Sequence, residues 1–281
     1  MRNELAHPDV TGMQRPLVVH LTYSLDVGGL ETLLVDCINR MPPERYRHAV
    51  VCLTRYTDFA KRITQPGVEL YALGKPPGLG LGTHLKFWKL MRRLRPAILH
   101  TYNLSALEYN FSAALAGVPV RIHAEHGRHA SDPHGLNPKH NFLRRRLAPF
   151  IDCFIPVSED LHRWLGETVG IPAAKTLFIK NGVDTERFAA AASLSANPAS
   201  PWGPDDIVIG TVARIQDVKN HRGLVDAFAR LADGHDDPAP VGVLAGNRRL
   251  DQRRIRNGHA DPVRGRIVRS ARYRDGHEFG C

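Results

Sequence analysis

Two cations in the second half of the sequence have the spacing of a phosphate-binding pair. Arg214 ends an apolar run, and Lys219 lies five residues later, where an amphipathic segment begins. Fixed cations beside a helix N-terminus suit a diphosphate, because both the charges and the free backbone N–H groups attract phosphate oxygens. The spacing alone is equally compatible with two solvated surface charges.

A glycine pair follows the first apolar run, in the segment DVGGLET (26–32). Gly28 and Gly29 allow positive φ angles and a close approach of a ligand to the backbone. The helix predicted behind them favours an anion at its N-terminus, and Glu31 favours the helix start. The segment matches neither GxGxxG nor a Walker sequence, so a tight strand-to-helix turn is an equally good interpretation.

His126, in AEHGRH (124–129), follows another apolar run. In a loop at the edge of a sheet, an imidazole can orient a substrate hydroxyl. The chain contains 15 histidines, so a structurally incidental loop residue is the alternative.

These residues lie between elements that alternate regularly. Over 16–188, alternating β-like and helical patterns predict a doubly wound parallel α/β sheet with helices on both faces, whose ligands bind at the carboxyl ends of the strands. The predicted strands are 16–23, 48–53, 68–73, 97–102, 118–126, 153–158 and 176–183. The predicted helices are 30–41, one capped by Thr83, 105–116 and one capped by Ser158.

A second βα pattern follows a linker at 189–205. It covers 206–246, with strands at 207–214 and 240–246. Asp217 is the predicted cap of its helix, whose apolar face is formed by Leu224, Val225, Phe228 and Leu231. Residues 1–15 and 247–281 have no such pattern.

Taken in order, five segments resemble glycosyltransferase family 4, over about residues 16–246. The segments are DVGGLET, EHGR, PVSEDL, NGVDTERF and GTVARIQDVKNH. EHGR and ARIQDVKNH are most similar to sugar transferases associated with exosortase (PEP-CTERM) and exopolysaccharide loci. The resemblance implies the GT-B fold of two Rossmann-like domains, with the N-terminal, acceptor-side domain complete and the donor-binding domain only begun.

The resemblance also implies an activity: retaining transfer from a nucleotide-sugar donor to a sugar or lipid-linked acceptor, in exopolysaccharide or glycolipid biosynthesis. It implies no metal and no other cofactor, so protein cations must neutralise the leaving diphosphate. On the motif match, those cations are Arg214 and Lys219. His126 matches the catalytic histidine near the reacting sugar, and Gly28 and Gly29 form the donor and acceptor loop that also contains Glu31.

The sequence departs from the family in its last part. The E-x7-E signature of the donor domain is missing, since no glutamate occurs between Glu186 and Glu278. The literal match Glu159–Glu167 lies on a first-domain helix and is interpreted as chance. Residues 247–281 contain ten arginines and four acids, a net charge of +6. We expect this tail to be out-of-frame or aberrant sequence and the truncated chain to be an impaired transferase; a native basic tail is the alternative.

Composition excludes several classes of protein. No apolar run approaches the ~18 residues of a membrane span, the N-terminus has no signal-peptide core, and the four cysteines are scattered. These features indicate a cytoplasmic protein. Most of the net charge of +10 belongs to the tail, which makes nucleic acid an unlikely partner. The run Arg144–Arg146, on a predicted helix with Phe142, is interpreted either as a solvated face or as a peripheral contact with the inner membrane face.

Two other functions stay open on the sequence alone. A nucleotide-sugar epimerase of the same architecture would need carboxylates and histidines on both sides of its cleft. A non-catalytic binding module would keep an acceptor or partner surface, or use the basic tail.

Overall fold

The protein is described from a computed structural model that covers residues 15–78, 80–129, 131–186, 209–211, 219–233 and 243–245. The chain divides into two compact units, Met1–Thr185 and Glu186–Cys281. In the described residues, the first unit contains a sheet of six strands and the second a sheet of two.

All pairings in the larger sheet are parallel, in the order β3-β2-β1-β4-β5-β6. The strands are β1 Leu17–Thr22, β2 Arg47–Cys52, β3 Glu69–Ala72, β4 Ile98–Tyr102, β5 Val120–Glu125 and β6 Cys153–Pro156. β1 is buried along its whole length, as expected for a strand inside a parallel sheet covered on both faces. The predicted α/β fold class is confirmed.

The helices of this unit pack on both faces of the sheet. They are α1 Gly29–Arg40, α2 Leu81–Leu94, α3 Asn103–Leu107, α4 Tyr109–Leu115, α5 Pro138–Leu147 and α6 Glu159–Trp164. On one face, the apolar stripe of α1 around Ile38 packs with Val50 of β2. On the other, Phe87 of α2 and Tyr109 of α4 pack against β1. The single helix predicted at 105–116 is two short helices in the structure, α3 and α4, and the first of them begins at Asn103.

Ser158 caps α6 as predicted, since its Oγ accepts the backbone N–H of Leu161 at 3.2 Å. The cap predicted at Thr83 is wrong. The chain turns into α2 two residues earlier, because Gly80 adopts a left-handed φ of 60°, and Thr83 is buried inside the helix.

The strand predicted at 176–183 is also wrong, although the chain there follows β6. Leu177 N donates to Phe154 O at 2.9 Å and Ile179 N donates to Pro156 O at 3.2 Å. The alternate bond, to the carbonyl of Leu177, would have to come from the nitrogen of Pro156, which has no hydrogen. The ladder therefore stops at an isolated bridge, Phe154–Thr176.

The second unit contains β7 Ile209–Thr211 and β8 Val243–Ala245, which are parallel, and α7 His221–Asp233. Asn220 caps α7 by accepting Gly223 N at 3.1 Å, a role that the sequence assigned to Asp217. Val225, predicted on the apolar face, is 40% exposed. Asp217, the linker and the tail 247–281 lie outside the described residues.

Candidate active site at the carboxyl edge of the first sheet

The carboxyl ends of β1 and β4 are neighbours although the strands are not consecutive in the chain. β1 pairs with β2 on one side and with β4 on the other. The chain leaves β1 for α1 on one face of the sheet and leaves β4 for α4 on the opposite face. Diverging connections of this kind open a crevice where ligands of doubly wound sheets bind. The DVGGLET segment follows β1 and His126 follows β5, so both lie at this edge.

Gly28 and Gly29 lie at the start of α1, and neither adopts the positive φ that glycine allows. Gly28 is the N-cap, with an extended φ of −167°. A Cβ on Gly28 would overlap the carboxylate of Glu31, whereas a Cβ on Gly29 would meet no atom within 4 Å. Glu31 therefore folds back over the first helical turn, as an acid at the third helical position does in a capping arrangement. Gly29 leaves open surface beside the helix N-terminus.

His126 is held at this edge by its backbone and by one ring contact. Its N–H donates to Asn103 Oδ1 at 2.8 Å, and Asn103 has an uncommon left-handed φ of 57°. Its ring centroid lies 5.7 Å from that of Tyr102. Within the described residues, no side chain hydrogen-bonds its ring nitrogens. Burial lowers the pKa of His126 to about 4, with Glu125 opposing and His123 assisting, so the imidazole is neutral at pH 7.

Four aromatic side chains form a hydrogen-bonded line on the α1 face, here called the histidine chain: His48, His20, Tyr102 and His100. The first three are buried and His100 is half-buried. His48 Nδ1 and His20 Nε2 are 3.1 Å apart, and the Tyr102 hydroxyl lies 2.9 Å from His20 Nδ1 and 3.0 Å from His100 Nδ1. Burial, followed by the charges of His123 and His126, lowers the pKa of His100 to about 3. The pKa of His20 is also lowered, by burial and by its two histidine neighbours.

A charged line runs through the opposite face of the same sheet, here called the Glu125 network: Thr101, His123, Glu125 and Arg144. Thr101 Oγ1 lies 2.8 Å from His123 Nδ1, and His123 Nε2 lies 3.3 Å from Glu125 Oε1. Arg144 reaches both carboxylate oxygens, with Nε 2.6 Å from Oε1 and Nη2 3.3 Å from Oε2. Burial alone would raise the pKa of Glu125, but the bonds and charges of His123 and Arg144 lower it to about 2.

Arg144 is 2% exposed, so the interpretation of Arg144–Arg146 as a solvated face is wrong for its first member. Its guanidinium carbon lies 4.7 Å from the ring centroid of Trp164, and Trp164 Nε1 donates to Gly135 O at 2.9 Å. Gly135 has a φ of +69°, and a Cβ there would overlap the Trp164 indole. The segment that follows His126 is thereby fixed to α5 and α6.

Lys219 lies two residues before α7 and is exposed. The N-terminus of α7 is capped by Asn220, so Lys219 adds its charge at the helix end that attracts anions. Its predicted partner Arg214 lies outside the described residues.

Sequence reasoning missed the histidine chain and the Glu125 network. A signal existed, since four of the predicted strands contain a histidine within an apolar run: His20, His48, His100 and His123. The sheet order and register were needed to see which of them meet. The partner of Glu125, nineteen residues away on α5, had no local signal.

Known proteins resemble this chain in sequence and in fold. It is 26% identical over 234 residues to EpsF of Bacillus subtilis (strain 168), a protein named as a glycosyltransferase, with 77% of this chain and 58% of EpsF covered. Anabaena Alr3699/HepE, solved in complex with UDP and glucose, matches with a TM-score of 0.60 and 17% identity, covering 82% of this chain and 61% of that chain. Sucrose-phosphate synthase of Thermosynechococcus elongatus gives a TM-score of 0.63 at 16% identity, covering 86% and 66%.

The family model described as Glycosyltransferase Family 4 matches residues 27–187, which is more than half of the chain. The structural likenesses show the GT-B fold. The chain spans about three fifths of the length of EpsF and of HepE. None of the helices in the described part of the chain has the length and apolar character needed to cross a bilayer.

Proposed function

The chain belongs to glycosyltransferase family 4, and on this premise we propose that it takes part in transferring a sugar from a nucleotide-sugar donor, with retention of anomeric configuration, in exopolysaccharide or glycolipid biosynthesis. In this reaction the bond between the anomeric carbon and the diphosphate breaks. The acceptor oxygen bonds to that carbon, and the acceptor proton moves to the departing phosphate oxygen.

One observation supports this proposal most: His126 offers a neutral imidazole at the carboxyl edge of the sheet. Its pKa of about 4 keeps it uncharged at pH 7, and within the described residues its ring nitrogens have no hydrogen-bond partner. A neutral imidazole has one donor and one acceptor, which matches a sugar hydroxyl. We assign His126 the role of orienting the reacting sugar, with Gly29 leaving the adjacent surface open for the ligand.

The donor diphosphate needs positive charge, which we assign to Arg214, Lys219 and the N-terminus of α7. Protein cations and helix N–H groups neutralise a leaving diphosphate without a metal. HepE, similar to this chain in fold, was solved with UDP and glucose, which supports a uridine diphosphate donor as the first to test. Glu31 is assigned to the helix start and not to the ligand, because its carboxylate folds back on Gly28.

A lipid-linked acceptor would bring this protein to the inner face of the membrane. Phe142 on α5 is 57% exposed, and Arg145 and Arg146 on the same helix have exposed side chains. An apolar ring beside cations is the composition of a peripheral contact with anionic lipid. We therefore propose a cytoplasmic protein with a peripheral membrane contact through α5.

The role of His126 is tested by His126→Ala, with His129→Ala as the matched control. His129 lies three residues later and is exposed; in the described chain its side chain hydrogen-bonds Ser131 and its ring contacts that of His140. We expect His126→Ala to lower UDP release from UDP-sugars in the presence of acceptor membranes by about 100-fold, because loss of the group that orients the reacting sugar misplaces the reacting atoms. The His129 variant should keep the wild-type rate. Equal rates in the two variants would remove His126 from the site.

Donor recognition is tested separately by calorimetry with UDP. Lys219→Ala should weaken binding by about tenfold, the value of one charge-assisted hydrogen bond. Arg230→Ala removes the same charge at the far end of α7 and should have little effect. Equal loss in both variants would contradict a site at the N-terminus of α7.

Two other outcomes would favour the alternative functions. Conversion of UDP-N-acetylglucosamine to its 2-epimer without transfer would favour the epimerase, and saturable acceptor binding without UDP binding would favour a binding module.

A further inference from the structure

A cavity of about 470 Å³ lies at the amino edge of the larger sheet, opposite the candidate active site. The segments around it begin strands or end helices: Leu17 begins β1, Ala97 precedes β4, and Met91 lies in the last turns of α2. Four of the residues that line it are arginines: Arg15, Arg47, Arg92 and Arg95. We call it the arginine cavity.

The arginine cavity contains no compensating acid in the described part of the chain. None of its lining residues is Asp or Glu, and none of its four arginines is ion-paired there. Arg47 Nε donates to the carbonyl of Arg15, and Arg15 donates to the carbonyl of Pro43. Some arginines elsewhere in the same unit do have acidic partners: Arg121 pairs with Asp152, Arg128 with Asp160 and Arg144 with Glu125. Four like charges around one cavity repel one another unless an anion joins them.

The backbone conformation of Arg95 is unfavourable for an arginine, which indicates that its charge has a role in the cavity. Arg95 follows the last residue of α2 with a left-handed φ of 46°, at a position where helices usually have glycine or asparagine. An arginine there costs conformational energy relative to glycine. It also adds a second long cation beside Arg92 in the cavity wall.

We propose that the arginine cavity binds a phosphate group, presented either by a free phosphate compound or by the headgroup of an anionic lipid. Guanidinium groups bind phosphate through paired N–H donors, and a phosphate has enough oxygens to accept from several arginines at once. Leu115 and Val120, which are adjacent in sequence to the lining residues Ala116 and Pro119, are 62% and 40% exposed. Those side chains suit contact with lipid next to a headgroup. The proposal is independent of the proposed transfer reaction, which uses the other edge of the sheet.

The test measures phosphate binding by the full 281-residue chain in two arms. Calorimetry with inorganic phosphate, in the presence of excess UDP to occupy any donor site, reports on the free compound. Sedimentation with vesicles of phosphatidylglycerol, compared with vesicles of phosphatidylcholine, reports on the headgroup. The arginine-rich tail is present in every variant, so its contribution is a constant background.

The decisive variant is Arg92→Gln/Arg95→Gln, since both side chains are exposed and neither has a carboxylate partner in the described residues. The control is Lys89→Gln/Arg93→Gln, which removes two charges from the same helix at positions outside the cavity lining. We expect the cavity variant to weaken phosphate or phosphatidylglycerol binding by about tenfold or more, and the control to change it less than about threefold. Both variants should unfold cooperatively, and the control also loses the contact of Arg93 with the Tyr71 ring.

The outcomes separate clearly. Loss in the calorimetric arm identifies a free phosphate compound as the ligand, and loss in the vesicle arm alone identifies a lipid headgroup. Binding that is lost equally in the cavity variant and in the control overturns the proposal, as does the absence of saturable binding in both arms.

Discussion

The histidine chain and the Glu125 network are both lines of polar side chains inside one sheet. They differ in charge, since the first is neutral and the second is ionised. On the α1 face, three histidines and Tyr102 stay neutral, and burial lowers the pKa values of the histidines. On the other face, Glu125 is ionised, because His123 and Arg144 lower its pKa to about 2. A neutral group loses less on leaving water than an ion does, whereas an ion needs a partner of opposite charge.

The two lines meet at the candidate active site. Tyr102 contacts the ring of His126, and Glu125 precedes His126 in the chain. The neutral line therefore contacts the His126 ring through Tyr102 without placing a charge beside it. The ionic line fixes the backbone at Glu125, directly before the loop that contains His126. This difference predicts that breaking the ionic line costs more stability than breaking the neutral one.

The largest effect is expected for Arg144→Met, which leaves the Glu125 carboxylate buried without its guanidinium. Loss of one partner of a buried ion pair costs about 3–5 kcal/mol of unfolding free energy, measured by urea denaturation. Arg145→Met is the control, because Arg145 is exposed and donates only to Val169 O in the described structure. The double variant Glu125→Leu/Arg144→Met removes both charges and should recover part of the loss. A single variant as stable as the control would contradict the ionic character of this line.

A smaller effect is expected for Tyr102→Phe, which removes one hydroxyl from the centre of the histidine chain. His20 Nδ1 and His100 Nδ1 both lose their partner, and unsatisfied buried polar atoms cost about 1–3 kcal/mol. Tyr23→Phe, at a residue that is 52% exposed, is the control and should be neutral within about 0.5 kcal/mol. If Tyr102→Phe destabilises as much as Arg144→Met, the distinction between the two lines fails.

The smallest effect is a difference in how stability depends on pH. The histidine chain and the Glu125 network lose their contributions to stability over different pH ranges. The pKa of His100 is about 3 in the folded protein against an ordinary 6.5, so on acidification the unfolded chain takes up the proton first. The histidine chain therefore contributes full stability above about pH 6.5 and loses it progressively as the pH falls toward about 3. For Glu125, the pKa is lowered from 4.5 to about 2, so the stability that its ionised form contributes is lost only at pH values below about 4.5.

Urea denaturation at pH 7, 6 and 5 tests this separation. His100→Phe should reduce the fall in stability across this range by up to about 1.4 kcal/mol per pH unit, the value of one proton. The control His134→Asn changes an exposed histidine and should keep the wild-type slope. An unchanged slope in His100→Phe would mean that His100 is not neutral through burial.

Several features of the candidate site could be predicted locally. His126, Gly28 and Gly29 were found because each follows an apolar run, and parallel strands bring the ends of such runs to one edge. The cap at Ser158 was found because a hydroxyl residue followed by two acids is a local signal of a helix start. The cap at Thr83 failed because Gly80 had already turned the chain, and the last predicted strand failed because Pro156 cannot donate to it.

By itself, the sequence determined the alternation of strands and helices and the family, because periodicity and motifs are properties of neighbouring residues. Only the tertiary structure decided which buried polar groups meet. His20 pairs with His48 and Tyr102 through the register of three strands, and Glu125 pairs with Arg144 on a helix nineteen residues away. The cost of an uncompensated polar group depends on burial, and burial is fixed only when all the elements have packed.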